Sequence, residues 1–206
     1  MTTGVSMDAK RWRCGAAIAV KRRDRGKSQL AVCLSPQERI ELVRGMLGRV
    51  LAAAHAARSI AFTVVVSPER DTIADDVALL IDEGAGMNEA FRIARAALQE
   101  RGARMMLALP ADLPRVGGAD LDALVDAAGD GGIAIAPDGR GSGTNALVVP
   151  VDLPMRFCFG PDSRRLHGEE ARRLGVQPSI VVRPGLGFDV DVPADLASLR
   201  SEERAL

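Results

Sequence analysis

The stretch Met105-Met106-Leu107-Ala108-Leu109-Pro110-Ala111-Asp112-Leu113-Pro114 decides the fold. Its first five residues are all apolar and too few for an independent helix, so they read as one buried strand. The strand breaks at Pro110, and Asp112 follows between two prolines. Proline has a fixed φ and no N–H, so the pair stiffens the loop and holds the carboxylate at the strand's carboxyl end. Working outward, the preceding segment Asn88–Arg101 carries Phe91, Ala94 and Leu98 at helical spacing, and the following Asp120–Ala128 reads as a short helix. Helix, buried strand, helix is the unit of an α/β protein whose mostly parallel sheet is covered on both faces.

The alternation extends to both ends of the chain. Cys14–Val20 and Phe62–Val66 are apolar, strand-length runs. Between them Ser35-Pro36-Gln37-Glu38 combines an N-cap serine, a first-turn proline and the glutamate of a capping box. The helix it opens aligns Ile40, Val43, Leu47, Val50 and Leu51 on one face. Val77–Ile81, Gly132–Ala136, Ala146–Val149 and Ser179–Arg183 read as further strands. Ser163 is expected to cap a helix running to Arg173, and Pro193 to start a last one. With no internal repeat and no long linker, residues 1–206 are expected to form a single domain, with 1–13, including Trp12, a poorly ordered lead.

Composition narrows the function classes. With 47% hydrophobic and 26% charged residues, the 206-residue chain is neither disordered nor low-complexity. Lys+Arg and Asp+Glu both total 27, so the basic excess of a nucleic-acid binder is missing. No apolar run approaches the roughly 20 residues that cross a bilayer, and no secretory apolar segment is present. Neither nucleic acid nor membrane is therefore an expected partner. Cys14, Cys33 and Cys158 form no C-x-x-C pair and, with only His55 and His167, build neither a disulfide framework nor a zinc site. They are expected to be small buried hydrophobes in a reducing cytoplasm. Dimers being the commonest soluble assembly, a homodimer is the expected state.

In sheets of this kind ligands sit beyond the carboxyl ends of the strands, at a topological switch point. The first strand is followed by Lys21, Arg22, Arg23, Arg25, Gly26, Lys27 and Ser28. Such a loop suits a polyphosphate and equally reads as a solvated basic loop; it matches neither the P-loop nor G-x-G-x-x-G. Asp112 suits Mg²⁺, which takes one or two carboxylates and completes its shell with water and phosphate oxygens, or else caps a nearby helix. Asp189 and Asp191, two apart in an extended segment, face one side, whereas Asp195 is a first-turn helix acid. Pro137–Asn145, with three glycines, Ser142 and Thr144, offers amides and hydroxyls to an anion. Phe159–Ser163 offers a turn and then a helix N-terminus. His55 suits a helix end, and His167 either reaches an anion or is solvated. The set points to phosphoryl chemistry on two phosphorylated compounds.

These residues also occur in an order that resembles a known family. K-S-Q-L-A (27–31), L-S-P-Q-E-R (34–39), G-A-G-M-N-E-A (84–90), L-P-A-D-L-P (109–114), A-P-D-G-R-G-S-G-T-N-A-L (136–147), F-C-F-G-P-D-S (157–163) and G-F-D-V-D-V-P-A-D-L (187–196) resemble the 2-phospho-L-lactate guanylyltransferases of coenzyme F420 biosynthesis. The resemblance implies a nucleotidyltransferase fold of the glycosyltransferase-A type, with GTP as co-substrate and Mg²⁺ as metal. The implied reaction transfers GMP to the phosphate of phosphoenolpyruvate, 2-phospho-L-lactate or 3-phospho-D-glycerate and releases pyrophosphate. A deazaflavin transferase of the same pathway would take up the product.

Carried over by motif, Asp112, Asp189 and Asp191 match the metal-binding acids. Thr144, Gly160 and Ser163 match the positions around the acid substrate. Lys21, Lys27 and Ser28 fall in the nucleotide segment, Gly86 and Asn88 near the guanosine, and Lys27 with Asp112 at the chemistry. The family's usual Lys-Ser-Arg-Leu is Lys27-Ser28-Gln29-Leu30 here, one positive charge short. Two other readings stay open. A cytidylyl or molybdopterin guanylyl transferase of the same fold would open with a glycine-rich loop that this chain lacks. A non-catalytic GTP-binding protein would lack the acids.

Overall fold

The computed structural model describes residues 14–20, 27–70, 73–74 and 77–204. Its strands are β1 (Cys14–Ala19), β2 (Ile60–Ser67), β3 (Leu79–Ile81), β4 (Met105–Pro110), β5 (Ala134–Pro137), β6 (Thr144–Pro150) and β7 (Ser179–Ile180). They form one sheet in the order β3-β2-β1-β4-β6-β5-β7. All neighbours pair parallel except β6, which runs against both β4 and β5. The chain moves outward from β1 to β3 and then returns to lay β4 on the other side of β1. The β1/β4 crevice is therefore the switch point where a ligand site is expected. Because β6 is reversed, with Leu147 opposite Ala108, its first residues Thr144 and Asn145 lie level with the end of β4.

The helices are α1 (Pro36–Ala56), α2 (Met87–Glu100), α3 (Gly118–Ala128), α4 (Ser163–Arg173), α5 (Pro184–Gly187) and α6 (Pro193–Glu203), with a 3₁₀ turn over Ser28–Val32. Alternate strand residues divide between two faces. Ala16, Ile18, Leu107 and Leu109 pack with Leu47 and Val50 of α1 and with Leu121 and Leu124 of α3. Ala17, Met106 and Ala108 pack with Phe91, Ala94 and Leu98 of α2. The period of two follows from the pleat and puts helices on both faces, as expected. Gly118 lets α3 close onto α1: a Cβ there would sit 2.9 Å from the backbone of Ala56 and Ala57. A third cluster joins Leu30 and Leu34 to Met46, Val190, Leu196 and Leu199, tying the 3₁₀ turn, α1 and α6 together.

The capping box opening α1 forms as read. Ser35 Oγ accepts from the Glu38 N–H, and the Glu38 carboxylate accepts from the Ser35 N–H at 2.8 Å. Other expectations need correction. Ser163 does not cap α4 but is its first residue; the N-cap position belongs to Asp162, in a left-handed conformation with no side-chain cap bond. The strand over 179–183 shortens to Ser179–Ile180, because Pro184 starts the one-turn α5. Only Cys14 is fully buried, which pushes its thiol up to about 12; Cys33 is exposed and Cys158 half-exposed. Trp12 and the rest of 1–13 lie outside the described residues.

Candidate active site

The two strands at the switch point are stitched at their ends, where the Ala111 N–H donates to the Ala19 carbonyl at 3.1 Å. Asp112 follows immediately. It caps no helix; instead its Oδ2 accepts from the Lys27 ammonium at 2.5 Å, and Asp191 Oδ1 accepts from the same ammonium at 2.9 Å. Lys27 stands just before the 3₁₀ turn in a left-handed conformation (φ 54°) unusual for a non-glycine residue, with its side chain only 5% exposed. Burial alone would lower the pKa of this ammonium. The charges of Asp112 and Asp191 outweigh that and raise it. Strained backbone and a buried charge together mark a functional position.

The second and third carboxylates come from the segment entering α6. Val190 turns into the third core cluster, which leaves Asp189 and Asp191 beside Asp112. Asp195 fixes their backbone: its Oδ2 accepts from the Asp191 and Val192 N–H groups, each at 2.9 Å. Burial first, then the charges of Asp191 and Asp112, push the Asp189 carboxyl up to about 6. Asn145 Nδ2 opposes this from 3.4 Å while it also donates to the Leu186 carbonyl at 2.9 Å. Among the described residues no three acidic, His or Cys side chains already surround a single point as metal ligands. The donor set nonetheless fits Mg²⁺. Three carboxylates with one internal ammonium carry excess negative charge, visible in the raised Asp189, and their hard oxygens are the ligands Mg²⁺ takes.

A second group of polar residues gathers at the start of β6 and α4, where the Ser163 N–H donates to the Gly160 carbonyl at 3.2 Å and the Arg164 N–H to the Ser142 carbonyl at 3.1 Å. Thr144 and Ser163 are buried there, and His167 Nδ1 lies 3.0 Å from Thr144 Oγ1. Gly160 has φ +135°, a conformation that favours glycine, and none of the described residues accepts from its N–H. The preceding residue is clamped by α2, on the same face of the sheet. Asn88 Oδ1 accepts from the Phe159 N–H at 2.7 Å, and its Nδ2 donates to the Phe159 carbonyl at 3.2 Å. The first turn of α4 carries Arg164 and Arg165 and no acid, so its N-terminal dipole faces no negative side chain of its own turn.

A buried lysine held between carboxylates thus stands at the β1/β4 switch point. Residues 14–201 match the family described as guanylyl transferase, CofC-like. The chain belongs to that family. It is 40% identical to the phosphoenolpyruvate guanylyltransferase of Rubrobacter xylanophilus over 90% of this chain and 93% of that protein. It is 37% identical to the enzyme of the same name from Sphaerobacter thermophilus, over 89% and 91%. Among solved structures it is similar to a nucleotidyl transferase from Methanothermobacter (TM-score 0.67, 18% identity, 94% of this chain and 99% of that one). It is similar also to 4-diphosphocytidyl-2C-methyl-D-erythritol synthase (TM-score 0.63, 20% identity, 93% and 98%). These two likenesses show the nucleotidyltransferase fold, and the family makes the chain an enzyme rather than a non-catalytic GTP binder.

In this guanylyl transferase the structure brings Lys27, Asp112, Asp189 and Asp191 into one charged cluster, with Lys27 and Asp112 on the crevice and Asp189 and Asp191 on a neighbouring cavity of about 250 Å³, and it gathers Thr144, Gly160 and Ser163 around the start of α4. Gly86, at φ +102°, is the N-cap of α2. Its neighbour Met87 lines the crevice with Ala19, Met46, Pro110, Lys27 and Asp112. Asn88 follows in the first turn of α2, with both ends of its amide used on Phe159. Lys21 and the arginines at 22, 23 and 25 lie outside the described residues, as does the side chain of Ser28. Gln29, where the family has arginine, is exposed.

The glycine-rich 137–145 loop offers fewer amides than expected. The Ser142 N–H donates to Asp138 Oδ1, the Gly141 N–H to the Asp138 carbonyl, and the Asp138 N–H to the Gly143 carbonyl. His167 is neither solvated nor placed as a cation: it is fully buried, and burial holds its pKa down to about 4. Sequence reasoning missed Asn145 as the partner of Asp189. Its place directly after Thr144, in a string already singled out, was the only signal.

Proposed function

We propose that the protein transfers GMP from GTP to the phosphate of phosphoenolpyruvate, releasing pyrophosphate, as a step in coenzyme F420 biosynthesis. The observation that carries the reading is Lys27 held between Asp112 and Asp191 at the switch point. GTP enters the crevice bordered by Ala19, Met46, Met87 and Pro110. An oxygen of the acid's phosphate attacks the α-phosphorus, and the bond to the β-phosphate oxygen breaks. A phosphate monoester oxygen is already a nucleophile, so no general base is needed. Catalysis then consists of positioning and charge neutralisation.

Asp112, Asp189 and Asp191 would hold Mg²⁺, which when bound neutralises charge on the phosphates. Lys27 supplies the cation that offsets the charge gathering on pyrophosphate as it departs. Thr144 Oγ–H, the Gly160 N–H and Ser163, at the first turn of α4, bind the acid's anionic oxygens. Phosphoenolpyruvate is preferred over the other two acids because the relatives at 37–40% identity are phosphoenolpyruvate guanylyltransferases. The product is a mixed phosphoanhydride that a deazaflavin transferase would consume. Pyrophosphate release is the test, measured with GTP and Mg²⁺ and with phosphoenolpyruvate, 2-phospho-L-lactate and 3-phospho-D-glycerate offered separately. Release with phosphoenolpyruvate above the other two is expected. Release with none of them would overturn the reading.

A further inference from the structure

His167 is the buried titratable group that this chemistry leaves unused, and it is fully enclosed on α4. Both ring nitrogens are engaged. The Cys158 backbone N–H donates to Nε2 at 2.9 Å, and Nδ1 lies 3.0 Å from Thr144 Oγ1. A backbone N–H can only donate, so Nε2 must be the bare, accepting nitrogen. The ring's one proton in its neutral form is therefore on Nδ1, where it can only be donated to Thr144 Oγ1. An imidazolium would set two donors, Nε2–H and the Cys158 N–H, against each other. Having accepted from His167, the Thr144 hydroxyl keeps its own proton for another acceptor, and none of the described residues provides one.

The same ring also steadies the facing loop. Phe159 stands edge-on to it, with centroids 4.8 Å apart at 70°, and packs on Phe91 at 4.7 Å. One residue further on is Gly160. Four residues before His167, one turn back along α4, is Ser163. A single side chain of α4 thus touches both β6 and the 158–159 loop, and so joins the three segments that carry Thr144, Gly160 and Ser163.

We infer that His167 is a positioning residue: locked as the neutral Nδ1–H tautomer, it turns the Thr144 hydroxyl into an obligate donor to an anionic oxygen of the phospho-acid. The inference rests on reading Thr144, Gly160 and Ser163 as the acid site. It makes acid recognition depend on a proton's direction rather than on a histidine's charge.

Two measurements test it. Long-range ¹⁵N–¹H NMR of the histidine rings, with the His55→Gln variant to separate the two, is expected to show His167 neutral with its proton on Nδ1 between pH 5 and 8. An Nε2–H tautomer, or a titration within that range, overturns the inference whatever the enzyme's substrate. In kinetics, the amide N–H of His167→Asn stands near Nδ1 and still reaches Thr144, whereas the amide oxygen of His167→Gln replaces only Nε2. The Gln variant is expected to raise KM for the phospho-acid about tenfold, the loss of one hydrogen bond. The Asn variant should stay near the wild type, and KM for GTP should move less than about twofold in either. In a Thr144→Val background the Asn and Gln variants should no longer differ. Equal losses in both variants, or effects that add to Thr144→Val, would reduce His167 to a packing role and overturn the proposal. Should no phospho-acid be turned over, the function proposed above fails, while the NMR result still decides the tautomer.

Discussion

Replacing Lys27 with methionine keeps the length of the side chain and removes the ammonium that lies 2.5 Å from Asp112 and 2.9 Å from Asp191. Lys27 and Asp112 are 5% and 14% exposed at their side chains, so that pair is buried, whereas Asp191 at 48% is half screened by water. Breaking a buried pair by removing one partner costs about 3–5 kcal/mol. The low end of that range applies because Asp191 is screened, giving a loss of about 3 kcal/mol. In a chain of this size that lowers Tm by about 6–12 °C. The substitution also leaves three neighbouring carboxylates without an internal counter-ion, so added Mg²⁺ should recover more stability in Lys27→Met than in the wild type. Turnover should fall by about 10²–10³, the effect of removing one group that stabilises charge in the transition state. Thermal unfolding with and without Mg²⁺, beside pyrophosphate release, measures all three. A variant that melts within a degree of the wild type and gains nothing extra from Mg²⁺ would refute the charge balance assigned to this site.

Further substitutions separate positioning from stability. Asn88→Ala removes both hydrogen bonds that hold Phe159, so KM for the phospho-acid should rise about five- to tenfold while KM for GTP stays near wild type; the opposite pattern would place Asn88 at the guanosine instead. Asp122→Ala strips partners from the Ser59 N–H (2.9 Å), the Ser59 hydroxyl (2.7 Å) and Arg58 (3.3 Å), on the α3 side away from the site. Chemical denaturation should show a loss of about 1–3 kcal/mol with kcat unaffected at 25 °C. His167 is held at about 4 in the folded protein against 6.5 in the unfolded chain, so the unfolded chain takes up the proton first. Its contribution to stability is therefore lost as pH falls from 6.5 to 4, amounting to about 3 kcal/mol at pH 4. The difference in unfolding free energy between wild type and His167→Phe should shift by that much between pH 7 and pH 4, and a difference that does not change with pH would contradict the burial argument.

The parts of this enzyme legible in the sequence are those written in local pattern. Met105–Leu109 announces a buried strand by its unbroken apolar run, Ser35–Glu38 announces a helix start by its chemistry, and Asp112 stands out because prolines bracket it. Asp189 and Asp191 could be read as a pair from the alternation alone, with Val190 the inward residue between them. What could not be read is direction across space. Asn88 has helix-start spacing and family context, but nothing local says that its amide reaches Phe159, 71 positions away. Composition made Lys27 one more charge in a basic loop, and only the family resemblance set it at the chemistry with Asp112; that its ammonium is buried between two carboxylates follows from the β1/β4 crossover and from α6 packing against the 3₁₀ turn. The glycine-rich loop misled for a related reason, because Asp138 takes up amides that composition alone suggested were free.

The central claim is that the phospho-acid's own phosphate oxygen attacks the α-phosphorus of GTP at the Lys27–Asp112–Asp189–Asp191 cluster. ³¹P NMR of a mixture of GTP, Mg²⁺, phosphoenolpyruvate and enzyme tests it directly. A new pair of mutually coupled phosphoanhydride resonances should grow in step with pyrophosphate, and neither should appear with Asp112→Asn. Appearance of GDP and inorganic phosphate instead, or undiminished product from Asp112→Asn, would contradict it.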